Sequence, residues 1–431
     1  MEWSKYNYLY YSNIAKSYLL YSSLSNAFIK LENEGAELVE RMKESQDFSN
    51  MPENLCQTLK EKKFIVDSND TETNKIVLQT LIKRFNAKAL TLTVAPTQVC
   101  NFDCPYCYET NKAGKKMSKE VQNRLLEFVK SNKDLLSLGV IWYGGEPTLA
   151  IDIIEKLSKE LIACVDNYSA YMVTNGYLLD KIVDKIDELK ISGIQITLDG
   201  TAQTHDTTRC LRNGKPTFEH ILENLDLLTS KCPNVEVAVR MNISRDNSQE
   251  YVALNKILWK RYRNKRVHLY PAFVFDYTGC SSSCYEDGCS KASFLKELYY
   301  NHGVITNPIY PRRTNKGCMA QTLNSFVIGP DGEMYKCWND LGDKEKSVGN
   351  IMKPQSITNF PLLADMMISN DVIYDEECKN CVLFPSCYGG CTAHRKLKAD
   401  YCIPAKSSLG DYLDIKYLQW QKMLEYNKIV K

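Results

Sequence analysis

The sequence predicts an α/β protein: a partial (β/α)6 barrel, preceded by a winged-helix-like α+β unit and followed by a cysteine-rich domain. Strand-like and helix-like stretches alternate six times between residues 90 and 275. Ten of the 17 cysteines then fall within irregular chain from residue 276 to 402. Residues 1–88 place short β-like runs ahead of helical ones. A length of 431 residues suits two or three such units.

In the first unit Tyr6–Tyr11, Ser17–Tyr21 and Asn26–Leu31 read as strands, and Glu34–Glu44 and Pro52–Lys62 as helices. Phe64–Val66 with its polar tail Asp67–Asn74 reads as a closing hairpin. The barrel spans 89–275. Its strands are expected at Leu90–Ala95, Val140–Tyr143, Tyr171–Thr174, Ile194–Leu198, Val235–Ile243 and Val267–Phe273. Amphipathic helices are expected at Lys119–Lys130, Ile151–Cys164, Leu178–Lys190, Phe218–Ser230 and Ser248–Arg261. Apolar strands separated by helices imply a parallel sheet, with ligands at the C-terminal strand ends. A bridging region (276–310), a cysteine domain (311–410) and a polar helix (411–431) complete the division.

The net charge of +2 gives no electrostatic case for nucleic acid or a membrane surface. No 18-residue apolar run and no secretory signal is visible, so a cytoplasmic location is expected. In a reducing compartment cysteines serve as metal ligands or catalytic thiols more often than in disulfides. With only five histidines, thiolate-only sites follow: zinc or iron–sulfur.

The loop after the first barrel strand reads Cys100-Asn-Phe-Asp-Cys104-Pro-Tyr-Cys107, a CxxxCxxC spacing. Three thiolates on one loop suit a four-iron cubane with one iron left open, whereas structural zinc wants four closed ligands. Gly144-Gly145-Glu146-Pro147 ends the second strand, Thr174-Asn175-Gly176 the third and Thr197-Leu198-Asp199-Gly200 the fourth. His205-Asp206 and Arg209 follow, and Arg240 and Asn242 lie on the fifth strand.

These residues resemble the radical S-adenosylmethionine (SAM) superfamily, whose signature is CxxxCx(aromatic)C, with Tyr106 as the aromatic. The resemblance implies a SAM-binding [4Fe-4S] cluster on Cys100, Cys104 and Cys107. It implies SAM contacts from Tyr106, Gly144, Gly145, Glu146, Pro147, Thr174, Asn175, Thr197, Asp199, Arg209 and Arg240. For Arg209, Arg240 and Asn242 a structural salt bridge or polar core contact is the alternative.

A second constellation is Cys318-x13-Gly332-x4-Cys337, then Cys378-x2-Cys381-x5-Cys387-x3-Cys391, then Cys402. It resembles the seven-cysteine SPASM extension, which implies two auxiliary [4Fe-4S] clusters and three in all. By position Cys318, Cys337 and Cys391 would hold the first, and Cys378, Cys381, Cys387 and Cys402 the second. Where some relatives have a further ligand, six residues before Cys318, this chain has Arg312. Cys280, Cys284 and Cys289 are candidates for the missing ligand, or form a redox-active loop. Cys56, Cys164, Cys210 and Cys232 read as plain small residues.

The implied chemistry is reductive cleavage of SAM to a 5′-deoxyadenosyl radical that abstracts hydrogen from a substrate. SPASM relatives mostly modify peptides or proteins, and residues 1–88 loosely resemble a leader-peptide recognition domain. The expected function is a peptide maturase that crosslinks a ribosomally made precursor through a thioether, C–C or C–O bond. Its partners would be the precursor, bound by its leader, and an electron donor such as flavodoxin or ferredoxin. The alternatives are a sulfatase-maturing or quinone-cofactor enzyme, an iron–sulfur electron carrier or redox regulator, and a zinc-stabilised scaffold. Trp338, where the sulfatase-maturing group typically has Asp, weighs against the first, although Asp340 is close by.

Overall fold

The computed structural model describes residues 1–49, 51–107, 114–274, 284–285, 288–306, 317–369, 371–387, 389–397 and 402–429. Two compact units are each assembled from non-contiguous stretches. One is Met1–Arg84 with Glu286–Cys318 and Asn370–Lys431; the other is Phe85–Tyr285 with Met319–Ser369.

The N-terminal part of the first unit runs β1 (Glu2–Trp3), β2 (Asn7–Ser12), β3 (Ser17–Ser22), β4 (Ala27–Leu31), α1 (Asn33–Ser45), α2 (Glu53–Glu61), β5 (Ile65–Val66) and α3 (Asn69–Arg84). Strands β2, β3 and β4 form an antiparallel meander with β3 in the centre. Leu20, Val39, Met42, Leu59, Phe64 and Ile65 make a core beneath it. The expected hairpin after Phe64 does not form. β5 pairs with β1 instead, and Asn69 is held by Glu2, its Nδ2 donating at 2.9 Å to Glu2 Oε2 and to the Trp3 carbonyl. With its partner strand taken, the polar tail starts helix α3.

The barrel unit begins with β6 (Ala89–Val94), α4 (Lys119–Lys130), β7 (Ser137–Trp142), α5 (Ile151–Ile162), β8 (Asn167–Thr174) and β9 (Ile191–Thr197). It continues with α6 (Ala202–Thr208), α7 (Phe218–Lys231), β10 (Glu236–Ile243), α8 (Glu250–Tyr262) and β11 (Val267–Phe273). The six strands β6 to β11 are parallel and in sequence order. Helix α4 shows why the pattern folds this way. Ser118 caps it by accepting from Val121 N at 3.2 Å, and Val121, Leu125, Leu126 and Val129 form its buried stripe.

Leu178–Lys190 departs from expectation. It forms two short 3-10 turns, Leu179–Lys181 and Val183–Lys185, rather than a helix. Its apolar residues Leu179, Ile182, Val183, Ile186 and Leu189 are all buried. Spacings of three and four residues suit tight turns as well as an α-helix.

Three strands from the cysteine-rich part, β12 (Ser325–Ile328), β13 (Glu333–Tyr335) and β14 (Gly349–Asn350), extend the sheet beyond β6 to nine strands. β12 is parallel to β6, and β13 and β14 return antiparallel. No strand was expected there.

The first unit is completed by α9 (Gly288–His302), short helices at Glu376–Asn380, Phe384–Cys387 and Thr392–Lys396, and α10 (Leu409–Ile429). The terminal helix is less polar than its sequence suggests: Tyr412, Leu413, Ile415 and Tyr417 are buried. Tyr10 donates to Asp414 at 2.8 Å. Val372, Ile373 and Phe384 share one core with Tyr6, Leu24, Val66 and Ile76. The Arg84–Asp371 ion pair is buried as well. The N-terminal segment and the last cysteine segment therefore fold as one body.

Candidate active site

The loop after β6 carries Cys100, Cys104 and Cys107 across the C-terminal strand ends. Its backbone is held on two sides. Asp103 N donates to Cys210 O at 3.2 Å and Arg212 N to Asn101 O at 3.1 Å. Opposite, Gly145 N donates to Thr97 O at 3.2 Å and Glu146 N to Val99 O at 2.9 Å. The two glycines are needed because the loop lies on them. A Cβ at Gly144 would sit 2.3 Å from Thr97 O, and one at Gly145 2.3 Å from Gln98 O. Gly144 also has φ +111°, which side chains rarely adopt.

Phe102 anchors the loop in the interior, packing edge-on to Tyr177 at 6.0 Å with the Arg209 guanidinium 5.7 Å from its ring centroid. Phe102 N donates to Cys100 Sγ at 3.4 Å. Burial pushes the Cys100 thiol up to about 12, an effect the Phe102 N–H opposes. A cysteine so placed becomes a thiolate when a metal takes its sulfur.

Glu146 is fully buried. Its Oε1 accepts from Thr148 N at 3.1 Å, Thr148 Oγ1 at 2.6 Å and Thr174 Oγ1 at 2.7 Å, and its Oε2 from Asn175 N at 2.7 Å. Burial raises its pKa, and these donors pull the other way. The carboxylate thus ties the end of β7 to the end of β8. Asn175 continues the tie, its Nδ2 donating to Asn101 Oδ1 at 2.7 Å.

Around Tyr106 the strand ends converge. Its hydroxyl bonds Asp199, accepts from Arg209 Nη1 at 2.7 Å and from Asn242 Nδ2 at 3.4 Å. Asp199 is buried and accepts from Asn242 N at 3.2 Å. Burial works against the Arg209 charge, but Tyr106, Asp199 and Cys104 around it hold its pKa above the ordinary value. Arg209 Nε is buried with no partner among the described residues, a donor of the kind a bound anion satisfies. Arg240 Nε donates to Asn242 Oδ1 at 2.8 Å. Thr197 is buried beside Arg240 in register, and Pro147 opens the turn into α5.

His205 is a support. Its Nδ1 accepts from Asp199 N at 3.3 Å and its Nε2 meets Thr217 Oγ1 at 3.0 Å. Burial pushes its pKa down to about 3, helped by Arg209, so the ring is neutral. Thr217 Oγ1 in turn donates to Arg209 O at 2.7 Å. Asn247, Glu250 and Thr217 escaped the sequence reading. Asn247 Nδ2 donates to Asp199 O at 3.0 Å, and Glu250 Oε2 accepts from Thr201 N at 2.7 Å. No sequence motif marks them. Asn247 and Glu250 act on main-chain atoms of the loop after β9, and Thr217 on the His205 ring and the Arg209 carbonyl.

On the same unit Tyr143 is buried against Trp338, their ring centroids 4.9 Å apart. Burial raises the Tyr143 pKa, to which Cys107 and Cys337 add. Trp338 Nε1 is buried without a partner among the described residues.

In the other unit Cys378, Cys381, Cys387 and Cys402 line one cavity of about 30 Å³ with Arg395 and Lys406. Among the described residues no group of Cys, His, Asp or Glu converges closely enough to hold a single metal ion. Zinc draws its sulfurs to about 2.3 Å from one centre, whereas a four-iron cluster takes one thiolate at each of four separate irons. The donor set, four thiols beside two cations, fits an anionic cluster. Cys337 belongs to the barrel unit, and Cys318 and Cys391 to the first. Cys284 is buried and Cys289 exposed; Cys280 and Arg312 lie outside the described residues.

A parallel sheet whose strand ends carry a three-cysteine loop against GGEP defines a radical SAM barrel. Residues 94–254 match the family model described as the Radical SAM superfamily, so this stretch of the chain is similar to a radical SAM domain. The chain is 24% identical to the cysteine-type anaerobic sulfatase-maturating enzyme of Clostridium novyi, covering 72% of this chain and 89% of that one. It is 34% identical to the uncharacterized protein MJ0907 of Methanocaldococcus jannaschii over 31% of this chain, spanning 46% of that protein. Among solved structures, native anSMEcpe with bound AdoMet and Cp18Cys peptide aligns with TM-score 0.57 at 20% identity, covering 80% of this chain and 100% of that one. Streptococcus suis SuiB bound to precursor peptide SuiA aligns with TM-score 0.53 at 15% identity, covering 94% and 98%. At these identities the likeness is one of fold. No helix among the described residues is long and apolar enough to cross a membrane.

Proposed function

We propose that this protein is a cytoplasmic peptide maturase that uses SAM-derived radical chemistry to crosslink a ribosomally made precursor. The observation that carries the radical chemistry is the convergence of Tyr106, Asp199, Arg209 and Asn242 beside the Cys100/Cys104/Cys107 loop. A [4Fe-4S] cluster on those three cysteines would supply the electron that cleaves bound SAM to methionine and a 5′-deoxyadenosyl radical. Arg209, whose buried Nε has no partner among the described residues, offers a charge-assisted contact to the SAM carboxylate. Gly144 and Gly145 bring main chain close to the ligand, Glu146 holds the second and third strand ends together, and Thr174 and Asn175 cap the third. Tyr106 and Asp199 keep the cysteine loop in register with the fourth strand. Tyr143 and Trp338 exclude water beside it.

The peptide substrate is supported by two proteins of similar fold whose structures hold a peptide, Cp18Cys in anSMEcpe and the precursor SuiA in SuiB. Among the described residues β2 and β4 each pair with β3 alone, which leaves sheet edges for an added strand from a leader. Cys378, Cys381, Cys387 and Cys402 are assigned one auxiliary cluster. Assignment of a second to Cys318, Cys337 and Cys391 rests on the sequence pattern. The electron donor is a flavodoxin or ferredoxin.

A sulfatase-maturing activity is the second reading, favoured by the 24% identity with the Clostridium novyi enzyme and disfavoured by Trp338 after Cys337. The deciding experiment is anaerobic turnover of reconstituted protein with SAM and dithionite. The substrates are a precursor peptide from a neighbouring reading frame and a sulfatase-derived cysteine peptide. A loss of two mass units per crosslink in the precursor supports the maturase; formylglycine in the sulfatase peptide alone refutes it. Wild-type deoxyadenosine output from Cys100→Ala would remove the radical SAM assignment.

A further inference from the structure

We propose that Arg395, oriented by Asp375, raises the reduction potential of a cluster held by Cys378, Cys381, Cys387 and Cys402. The inference rests on the assignment of those four cysteines to one cluster. The short helix Glu376–Asn380 opens on Asp375, whose Oδ1 accepts from Cys378 N at 3.0 Å. Asp375 Oδ2 takes Arg395 Nη2 at 2.7 Å. The other arm of the same guanidinium, Nη1, donates to Cys378 Sγ at 3.4 Å. One residue thus positions both the ligand backbone and the cation over its sulfur. The Arg395 side chain is 9% exposed, so water does little to screen it.

Lys406 lines the same cavity and reaches Glu377 at 3.3 Å. Reduction of the cluster adds one electron and forms or breaks no bond. The added charge spreads onto the sulfurs, so an N–H donor and a fixed positive charge at Cys378 favour the reduced form over the oxidised one. Arginine suits this place because its planar fork reaches carboxylate and sulfur together, which a lysine cannot do. A cluster raised in this way is an electron acceptor, suited to taking the electron a substrate radical must lose before its new bond closes.

The test is an anaerobic dithionite titration of the full-length reconstituted protein, followed by electron paramagnetic resonance, with iron content measured beside it. Cys381→Ser identifies the signal of this cluster by its loss. In Arg395→Gln that signal is expected to titrate at a more negative potential than in the wild type. Arg395→Lys is expected between them, and the SAM-site signal should be unmoved in all three. An unshifted midpoint in Arg395→Gln at full iron content overturns the inference while leaving the cluster assignment standing. If Arg395→Gln fails to load iron, Arg395→Lys carries the test: a midpoint equal to the wild type overturns it. If Cys381→Ser loses neither iron nor signal, the cluster assignment falls and the inference with it.

Discussion

Gly145→Ala isolates what the tight fit between the cysteine loop and the second strand end does for catalysis. The new methyl would lie 2.3 Å from Gln98 O and 2.6 Å from Val99 O. An ordinary carbon–oxygen approach is about 3.3 Å, so the loop must retreat by about 1 Å. Both contacts are backbone atoms, so no side chain can rotate out of the way. The retreat would break or lengthen Glu146 N to Val99 O, 2.9 Å in the native protein, and carry Cys100 with it. Overpacking of this size costs about 1–3 kcal/mol of stability, which a large domain survives. A misplacement of about 1 Å costs a reaction roughly a hundredfold. The expected result is a folded protein whose 5′-deoxyadenosine formation, normalised to iron, falls about a hundredfold. Gly139→Ala is the control. It lies on β7 near the opposite end, and its Cβ would meet only Thr91 side-chain atoms at 3.7 Å or more. Wild-type deoxyadenosine output from Gly145→Ala, or an equal loss in both variants, would refute the reasoning.

Glu146→Ala leaves Thr148 N and Asn175 N without their acceptor in a buried site. At about 1–3 kcal/mol for each, a loss of about 3 kcal/mol in anaerobic urea unfolding is expected; a change under 1 kcal/mol would contradict the tie between β7 and β8. His205 has a folded pKa pushed down to about 3 from an ordinary 6.5. The unfolded chain therefore takes up a proton between these values that the folded protein refuses. Its contribution is flat above pH 6.5, and stability falls by about 1.4 kcal/mol per pH unit below it. His205→Gln should flatten the slope of unfolding free energy between pH 6.5 and 5.5, and an unaltered slope would count against a buried neutral ring. Chelation of iron should speed limited proteolysis within residues 376–406, because the four-cysteine cavity would lose what joins its walls; unchanged cleavage would speak against a cluster there. Precursor peptide should slow amide exchange in Asn7–Ser12 or Ala27–Leu31, the outer strands of the meander, and equal exchange with and without peptide would rule out leader binding at this sheet.

The sequence by itself determined the barrel strands and the cysteine loop. Local patterns carry both. The run Val235–Ile243 alternates, with Val237, Val239, Met241 and Ile243 buried and Glu236, Arg240 and Asn242 between them, and the observed strand is Glu236–Ile243. CxxxCxxC places three sulfurs on one loop whatever else the chain does. The glycines of GGEP were legible as a motif, but only the structure gives their reason, the Thr97 and Gln98 carbonyls lying where Cβ atoms would be.

Tertiary structure alone decided the rest, because the partners are far apart in sequence. Asp67–Asn74 reads as the second half of a hairpin until β1 is seen occupying β5. Strand β12 carries no periodic signal over four buried residues, and joins the sheet because β6 presents an open edge. Glu250, 49 residues from Thr201, and Asn247, 48 residues from Asp199, hold the loop after β9 through side chains no local pattern could pair with it. The shared core of Tyr6, Ile76, Val372 and Phe384 joins chain ends some three hundred residues apart. Apolar burial is blind to sequence distance, whereas motifs and periodicity are strictly local.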